Sequence, residues 1–271
     1  MTKTISAILL FLFCIQLSYA SEKDKTNLSL LKELDRTIAQ KPFFQQQREQ
    51  EADSIKSLLK ATSSLESKYE LYGTLFGIYL HFQADSALHY LERREALTDS
   101  LRNPSYKNDL RIARAEVLGI MGLYNEVPEQ LEQIQRESLS EGSLLYYYYT
   151  SRTFYGWIAD YTRTNDRHKY IAQTNAYRDS ILAVTPNGID HNIVLADQLI
   201  VNGNPDEAIR LMNDELTKAQ GTESAIYILY NLSQAYAQKG DTEKQIYYLS
   251  QTAISDLKAA KREYISLQKL A

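Results

Sequence analysis

Residues 225–249 read AIYILYNLSQAYAQKGDTEKQIYYL, and this stretch decides the fold. Ile228, Leu229, Leu232, Ala235 and Tyr236 recur at steps of three and four, which gathers them on one helical face. Gly240 follows, and without a β-carbon it can enter the left-handed conformation that ends a helix. Asp241 can then accept hydrogen bonds from the free N–H groups that open the next helix. The second arm carries Ile246, Leu249 and Ala253 on one face. Two apolar stripes joined by so short a bend bury themselves by packing antiparallel, so the stretch predicts a helical hairpin.

The hairpin resembles the tetratricopeptide repeat. That motif pairs an apolar residue with a small neighbour and places an aromatic residue three further on. Gly-Asp marks its bend, and a small residue stands five after the Gly. Leu232, Ser233, Tyr236 and Gly240-Asp241 fit, while Gln245 stands where the small residue belongs. Looser copies precede it. Asp85-Ser-Ala-Leu-His-Tyr-Leu has Ala87 at the small position and Leu91 four later, and Ala208 with Met212 repeats that relation. The small-position residues Ala87, Val127, Tyr170, Ala208 and Gln245 lie 40, 43, 38 and 37 apart, against about 34 in the usual unit. The expected fold is all-α, a divergent tetratricopeptide-like right-handed solenoid of antiparallel helix pairs. Only 10 Gly and 5 Pro in 271 residues, with 21 Tyr, suit long helices whose rings pack inward.

The first arms expected upstream are Ser64 to Phe82, with Leu71, Leu75, Ile78, Tyr79 and Phe82 inward, and a helix from Pro104 with Leu110, Ala113, Val117, Leu118 and Met121 inward. Ser63 and Glu66 read as a capping box for the former. Gly122 bends the latter into a partner running from Val127-Pro128 to Leu139. A Tyr-rich helix after Gly142 bends near Asn165, and Tyr170 and Ile171 begin its return arm. Ile193, Leu195, Ala196 and Leu199 then lead to a bend at Asn202-Gly203-Asn204, with Pro205 at a position that needs no N–H.

The ends read differently. Lys3, the apolar run from Ile5 to Leu17 and Ser18-Tyr19-Ala20 read as a cleaved secretory signal over 1–20, with an uncleaved anchor as the alternative. Cleavage removes the only cysteine, Cys14, and shifts the formal net charge from −4 to −5 by removing Lys3. A mildly acidic chain without a basic block excludes direct binding of nucleic acid. Residues 21–62 read as N-terminal capping helices, broken at Lys41-Pro42. The polar stretch Gln45 to Ser54 fits either a solvated face or a coiled-coil contact with a partner. Residues 63–271 then form the repeat domain. Tyr264, Ile265, Leu267 and Leu270 fit a terminal capping helix or, as the preferred reading, the first arm of a further hairpin in a longer protein.

Three segments carry a second resemblance: Leu34 to Gln40, Tyr69 to Phe76, and Phe82 to Ala87. Together they look like a bacterial family of exported tetratricopeptide-repeat proteins, the periplasmic sensor regions of transmembrane LuxR-type helix-turn-helix regulators. The resemblance implies a periplasmic sensory part, tethered to the inner membrane in longer members. The expected function is a non-enzymatic binding solenoid of such a regulator or of a truncated relative. The alternative is a free periplasmic scaffold for envelope complexes.

The residues offer no chemistry of their own. No phosphate loop, zinc-protease motif or nucleophile elbow occurs, so no catalytic residue, cofactor or metal ligand is assigned. His81, Asp85 and His89 are spaced at fours, but the inferred bend at Gln83-Ala84 separates their faces. The repeat's groove-facing offsets select Tyr227, Tyr230, Gln234 and Gln238 from the last pair, and Arg152 and Tyr155 from the Tyr-rich helix. Tyr and Arg anchor interfaces well. These six would line a concave groove for a peptide, a protein or a small envelope ligand.

Overall fold

The computed structural model describes residues 27–103, 105–262 and 265–270. The signal segment 1–20, Ser21, Pro104, Tyr264 and the side chain of Ile265 lie outside the described residues. Among those described, every regular element is helical. Helix α1 covers 27–39, α2 Lys41–Ala61, α3 Leu65–Leu80, α4 Ala84–Glu95, and α5 the single turn Thr98–Leu101. Then come α6 (Ser105–Ile120), α7 (Val127–Glu132), α8 (Glu141–Tyr161) and α9 (Arg167–Val184). The chain continues through α10 (Ile189–Val201), α11 (Pro205–Lys218), α12 (Ser224–Gln238), α13 (Thr242–Lys258) and α14 (Ile265–Leu270). The pairs α3/α4, α6/α7, α8/α9, α10/α11 and α12/α13 pack as hairpins in an all-α, tetratricopeptide-like solenoid.

The deciding stretch folds as its pattern requires. Ile228, Leu229, Leu232, Ala235 and Tyr236 are all buried on α12. Gly240 takes φ 72°, where a β-carbon would be strained. Asp241 caps α13 by accepting from the Lys244 N–H at 3.1 Å. Tyr236 and Tyr248 stack across the hairpin with centroids 5.5 Å apart.

The small positions show how each hairpin closes. Ala87, Val127 and Ala208 are completely buried, and so are Leu91 and Met212 four residues after the first and third. In the α8/α9 pair the expected residue, Tyr170, is only half-buried, and Thr174 one turn later is buried. Thr174, not Tyr170, lies at the crossing, where a β-carbon on Gly156 would stand 3.9 Å from Thr174 Cγ2. Other boundaries move for local reasons. Ser64 rather than Ser63 caps α3, accepting from the Ser67 N–H at 3.2 Å while its hydroxyl donates to Glu66. Helix α7 stops at Glu132, and Arg136–Ser138 forms a 3₁₀ turn instead of continuing the helix to Leu139.

Leu71 and Leu195 are only half-buried, and on α10 it is Val194 and Ala196 that reach the core. Of the α8 aromatics, Tyr147 and Phe154 are buried, but Tyr161 is 71% exposed at the helix end. The polar middle of α2 is not simply solvated. Ala52 is fully buried, and Arg48 Nε donates to the Ile78 carbonyl at 3.1 Å. Glu49 accepts from Tyr79 Oη at 2.8 Å and Gln83 Nε2 at 2.7 Å. These residues bolt α2 to α3.

The array also closes on itself. Leu34 of α1 packs with Ala253, Ile254 and Leu257 of α13, and Leu30, Leu267 and Leu270 cover the same cluster. Asn27 donates to the Glu243 carbonyl at 3.2 Å, and Lys258 pairs with Glu33 at 3.3 Å. Beyond α13, Ala260 joins the core shared by α2, α3, α4 and α6. The Arg262 N–H donates to the His81 carbonyl at 2.8 Å, with its guanidinium over Phe82. The first and last helices thus cap one another.

Two measurements check this packing. Gly119→Ala would place a β-carbon 2.6 Å from Trp157 Cζ3, and urea melts should show a loss of about 1–3 kcal/mol. Leu34→Ala and Leu257→Ala, at opposite ends of the sequence, should each cost about 2–4 kcal/mol and couple by about 0.5–2 kcal/mol in a double-mutant cycle. Strict additivity would disprove the closed array.

Candidate binding groove

The first arms α8, α10 and α12 bring polar side chains to a common face. Ser224 at the start of α12 donates to Asp190 Oδ1 on α10 at 3.2 Å. The Tyr149 phenol of α8 is raised above its ordinary pKa, chiefly by burial and further by the Asp190 charge and the nearby Tyr227. Tyr146, one turn earlier, donates to the Glu116 carboxylate of α6. Burial first, and then that carboxylate, hold its phenol well above the usual tyrosine range. Phenols beside carboxylates thus recur here, Tyr149 near Asp190 and the deeper Tyr146 on Glu116.

On α12 three of the selected residues stand together. Tyr227 is 54% exposed, and the Lys261 ammonium lies 5.7 Å from its ring centroid. Tyr230 and Gln234 are half-buried, and both accept from Lys269 Nζ of α14, at 2.8 Å on Oη and 2.7 Å on Oε1. Gln238, one turn on, is exposed.

The two residues taken from α8 point to other partners. Arg152 is half-buried and donates to Asp197 Oδ2 of α10. Tyr155 stacks on Tyr177 of α9 with centroids 5.7 Å apart and planes 9° apart. Its ring thus lies inside its own hairpin, not beside Tyr227 and Tyr230.

Asp197 joins three helices, because Arg178 Nε of α9 donates to the same Oδ2 at 2.7 Å. Arg178 Nη1 continues to Asn175 at 2.5 Å. Burial pushes the Asp197 carboxyl up, but the two guanidinium groups outweigh it and hold the pKa below the ordinary value. Neither Arg178 nor Asp197 was selected from sequence, because the position that marks Arg178 shows only once Thr174 is placed against Gly156. With Thr174 at the crossing, Arg178 occupies the site where other pairs place Leu91, Leu131 or Met212, and a charge there needs a buried partner. Asn231 is a second such residue. It is buried on α12 and donates to the Ile193 carbonyl at 2.9 Å, tying α12 to α10.

His81 ends α3 while His89 is exposed on α4. Among the described residues, no group of three or more His, Cys, Asp or Glu could hold a metal ion.

Asp197→Asn should destabilise the fold by about 2–4 kcal/mol at pH 7, because two guanidinium groups lose their carboxylate. The sign follows from the depressed pKa. The stabilisation is present above the unfolded value of about 4 and is lost as pH falls through the folded value. Denaturant melts should therefore show the gap between wild type and variant narrowing in acid.

Residues 38–271 match the family described as the SusR N-terminal TPR domain, TPR being the tetratricopeptide repeat. Domains of this type are in general helical scaffolds for protein interaction. No curated protein matches the chain. The family spans all five hairpins, the α2 bolt and the terminal α14, so the chain belongs to the SusR N-terminal TPR domain family.

Proposed function

We propose that this protein is a non-enzymatic periplasmic binding solenoid, the sensory part of a membrane-spanning transcriptional regulator or of a truncated relative. The observation that carries the binding role is the α12 face. Tyr227 is 54% exposed, and Tyr230 and Gln234 beside it turn polar tips to the exposed Lys269 side chain. Tyrosine suits this use because a large ring is fixed by few torsions while its hydroxyl tolerates water. The export and sensor roles rest on the signal-like N-terminus and on the resemblance to exported regulators. Among the described residues no helix is long and apolar enough to cross a membrane, so a tether in this reading belongs to sequence outside them.

A free scaffold for envelope complexes is the second reading, and the closed array favours it to one extent. Its α1 and α13 helices pack on one another through Leu34, Ala253, Ile254 and Leu257. The readings separate on a reporter of gene expression. A sensor should alter transcription when its groove is mutated, whereas a scaffold should alter only the composition of envelope complexes.

Tyr227→Ala with Tyr230→Ala should lower partner capture from the envelope by at least about tenfold, two interface tyrosines being removed. Helicity by circular dichroism should not change. Undiminished capture by a folded double variant would remove the groove assignment.

A further inference from the structure

The seam that joins the two ends of the array contains an open cleft of about 400 Å³. That volume lies within the range of small-molecule sites, about 300–1,000 Å³. Its walls come from three places far apart in sequence. The α3/α4 bend supplies Leu80, Phe82 and Asp85, the end of α6 supplies Ile120 and Met121, and the connection after α13 supplies Arg262. His81 and Gln83 also line it, and the Gln83 amide is already bonded to Glu49 and Ser86.

Arg262 is held at this cleft by the packing of the seam. After α13 the chain turns at Ala260 with φ 57°, a left-handed conformation that glycine usually fills. Ala260 is buried in the core shared by α2, α3, α4 and α6, and strained backbone of this kind persists where surrounding packing fixes it. Two residues on, the Arg262 N–H donates to the His81 carbonyl at 2.8 Å. Its guanidinium lies 5.4 Å from the centroid of the buried Phe82 ring. A cation–π contact uses the charge and leaves the side-chain N–H donors available. Among the described residues no carboxylate pairs with this guanidinium and no acceptor takes its N–H groups.

Asp85, exposed in the first turn of α4, likewise has no ionic or hydrogen-bonded partner among the described residues. Two opposite charges thus line one cleft without meeting. A simple carboxylate would bring a like charge to Asp85, and a simple amine would bring one to Arg262. A ligand that carries both charges close together makes two charge-assisted contacts instead. Beside them, buried Leu80 and half-buried Ile120 and Met121 offer an apolar wall.

We propose that this seam cleft binds a free α-amino acid with an apolar side chain. Its carboxylate sits on Arg262, its ammonium on Asp85, and its side chain against Leu80, Ile120 and Met121. The cleft draws walls from both ends of the array, so an occupant bridges the α3/α4 bend to the last connection and holds the seam closed. This small-molecule site goes beyond the partner-binding role of α12 and does not rest on it.

The test is isothermal titration calorimetry and thermal melting of the full chain with L-leucine and L-phenylalanine. The amide of each (L-leucinamide, L-phenylalaninamide) keeps only the ammonium, and the deaminated acid of each (isocaproate, hydrocinnamate) keeps only the carboxylate. An amino acid that binds should raise Tm and should bind at least about tenfold more tightly than either of its analogues, one charge-assisted contact being lost in each. Arg262→Gln should lower amino-acid affinity at least about tenfold without weakening the amide, and Asp85→Asn should do so without weakening the deaminated acid. Both side chains are exposed, so helicity should not change. No binding by either amino acid at millimolar concentration, equal binding by the analogues, or undiminished affinity in either variant would overturn the proposal. The wild-type comparison decides the matter by itself if a variant fails to fold, and no outcome alters the Tyr227/Tyr230 capture experiment.

Discussion

Each hairpin of this protein depends on how closely its two helices can approach at one crossing point. Antiparallel helices pack at axial distances of about 8–10 Å, set by the side chains between them. Ala87, Val127 and Ala208 leave no exposed surface at those crossings, and Thr174 against Gly156 plays the same part in the α8/α9 pair. Where no small residue is available, as at Gln245, the residue is only half-buried, and Leu249 and Ala253 complete the contact further along α13. The crossing thus acts as a gauge that sets the register of everything attached to it, including which side chains of a first arm reach the common face.

That register is what allows the ends to meet. In a linear array each repeat touches only its neighbours, and the terminal helices need polar outer faces. Here Leu34 of the first helix buries itself on Ala253, Ile254 and Leu257, and Ala260 enters the core of the opposite end. Arg262 then ties the last connection to the α3/α4 bend through the His81 carbonyl. Local changes anywhere in such an array alter the fit of the seam, because the angles between successive hairpins must add up to closure. Helix α14 touches both this seam, through Leu267 and Leu270, and α12, through Lys269 and Tyr230.

The charged residues divide into two uses. Arg152, Arg178 and Asp197 form a half-buried knot joining α8, α9 and α10, whose worth lies in fixing those helices in one arrangement, since a well-packed apolar trio could match its stability. Lys261, half-buried and paired with Asp256 at 3.8 Å, and the exposed Lys269 lie over the tyrosines of α12. Arginine suits the first use, because its planar fork can hold a shared carboxylate. Lysine suits the second, as a flexible point charge.

The helices, the bends at Gly122, Gly203 and Gly240, the cap at Asp241 and the inward face of α12 were all legible in the sequence, because each depends on residues within a few positions of one another. That Tyr227, Tyr230 and Gln234 share one side of α12 was legible for the same reason. The shift from Tyr170 to Thr174, the inward turn of Tyr155 and the capture of Arg152 by Asp197 were not, since each is chosen by a neighbouring helix of fixed shape. By itself the sequence determined an all-helical repeat array and the chemical types on its best-kept hairpin, through periodicity and backbone conformational preference. Only the tertiary structure decided that the array closes end to end and that Lys269 sits on Tyr230 and Gln234. Small angles between successive hairpins sum over the whole chain, and no local pattern of residues records that sum.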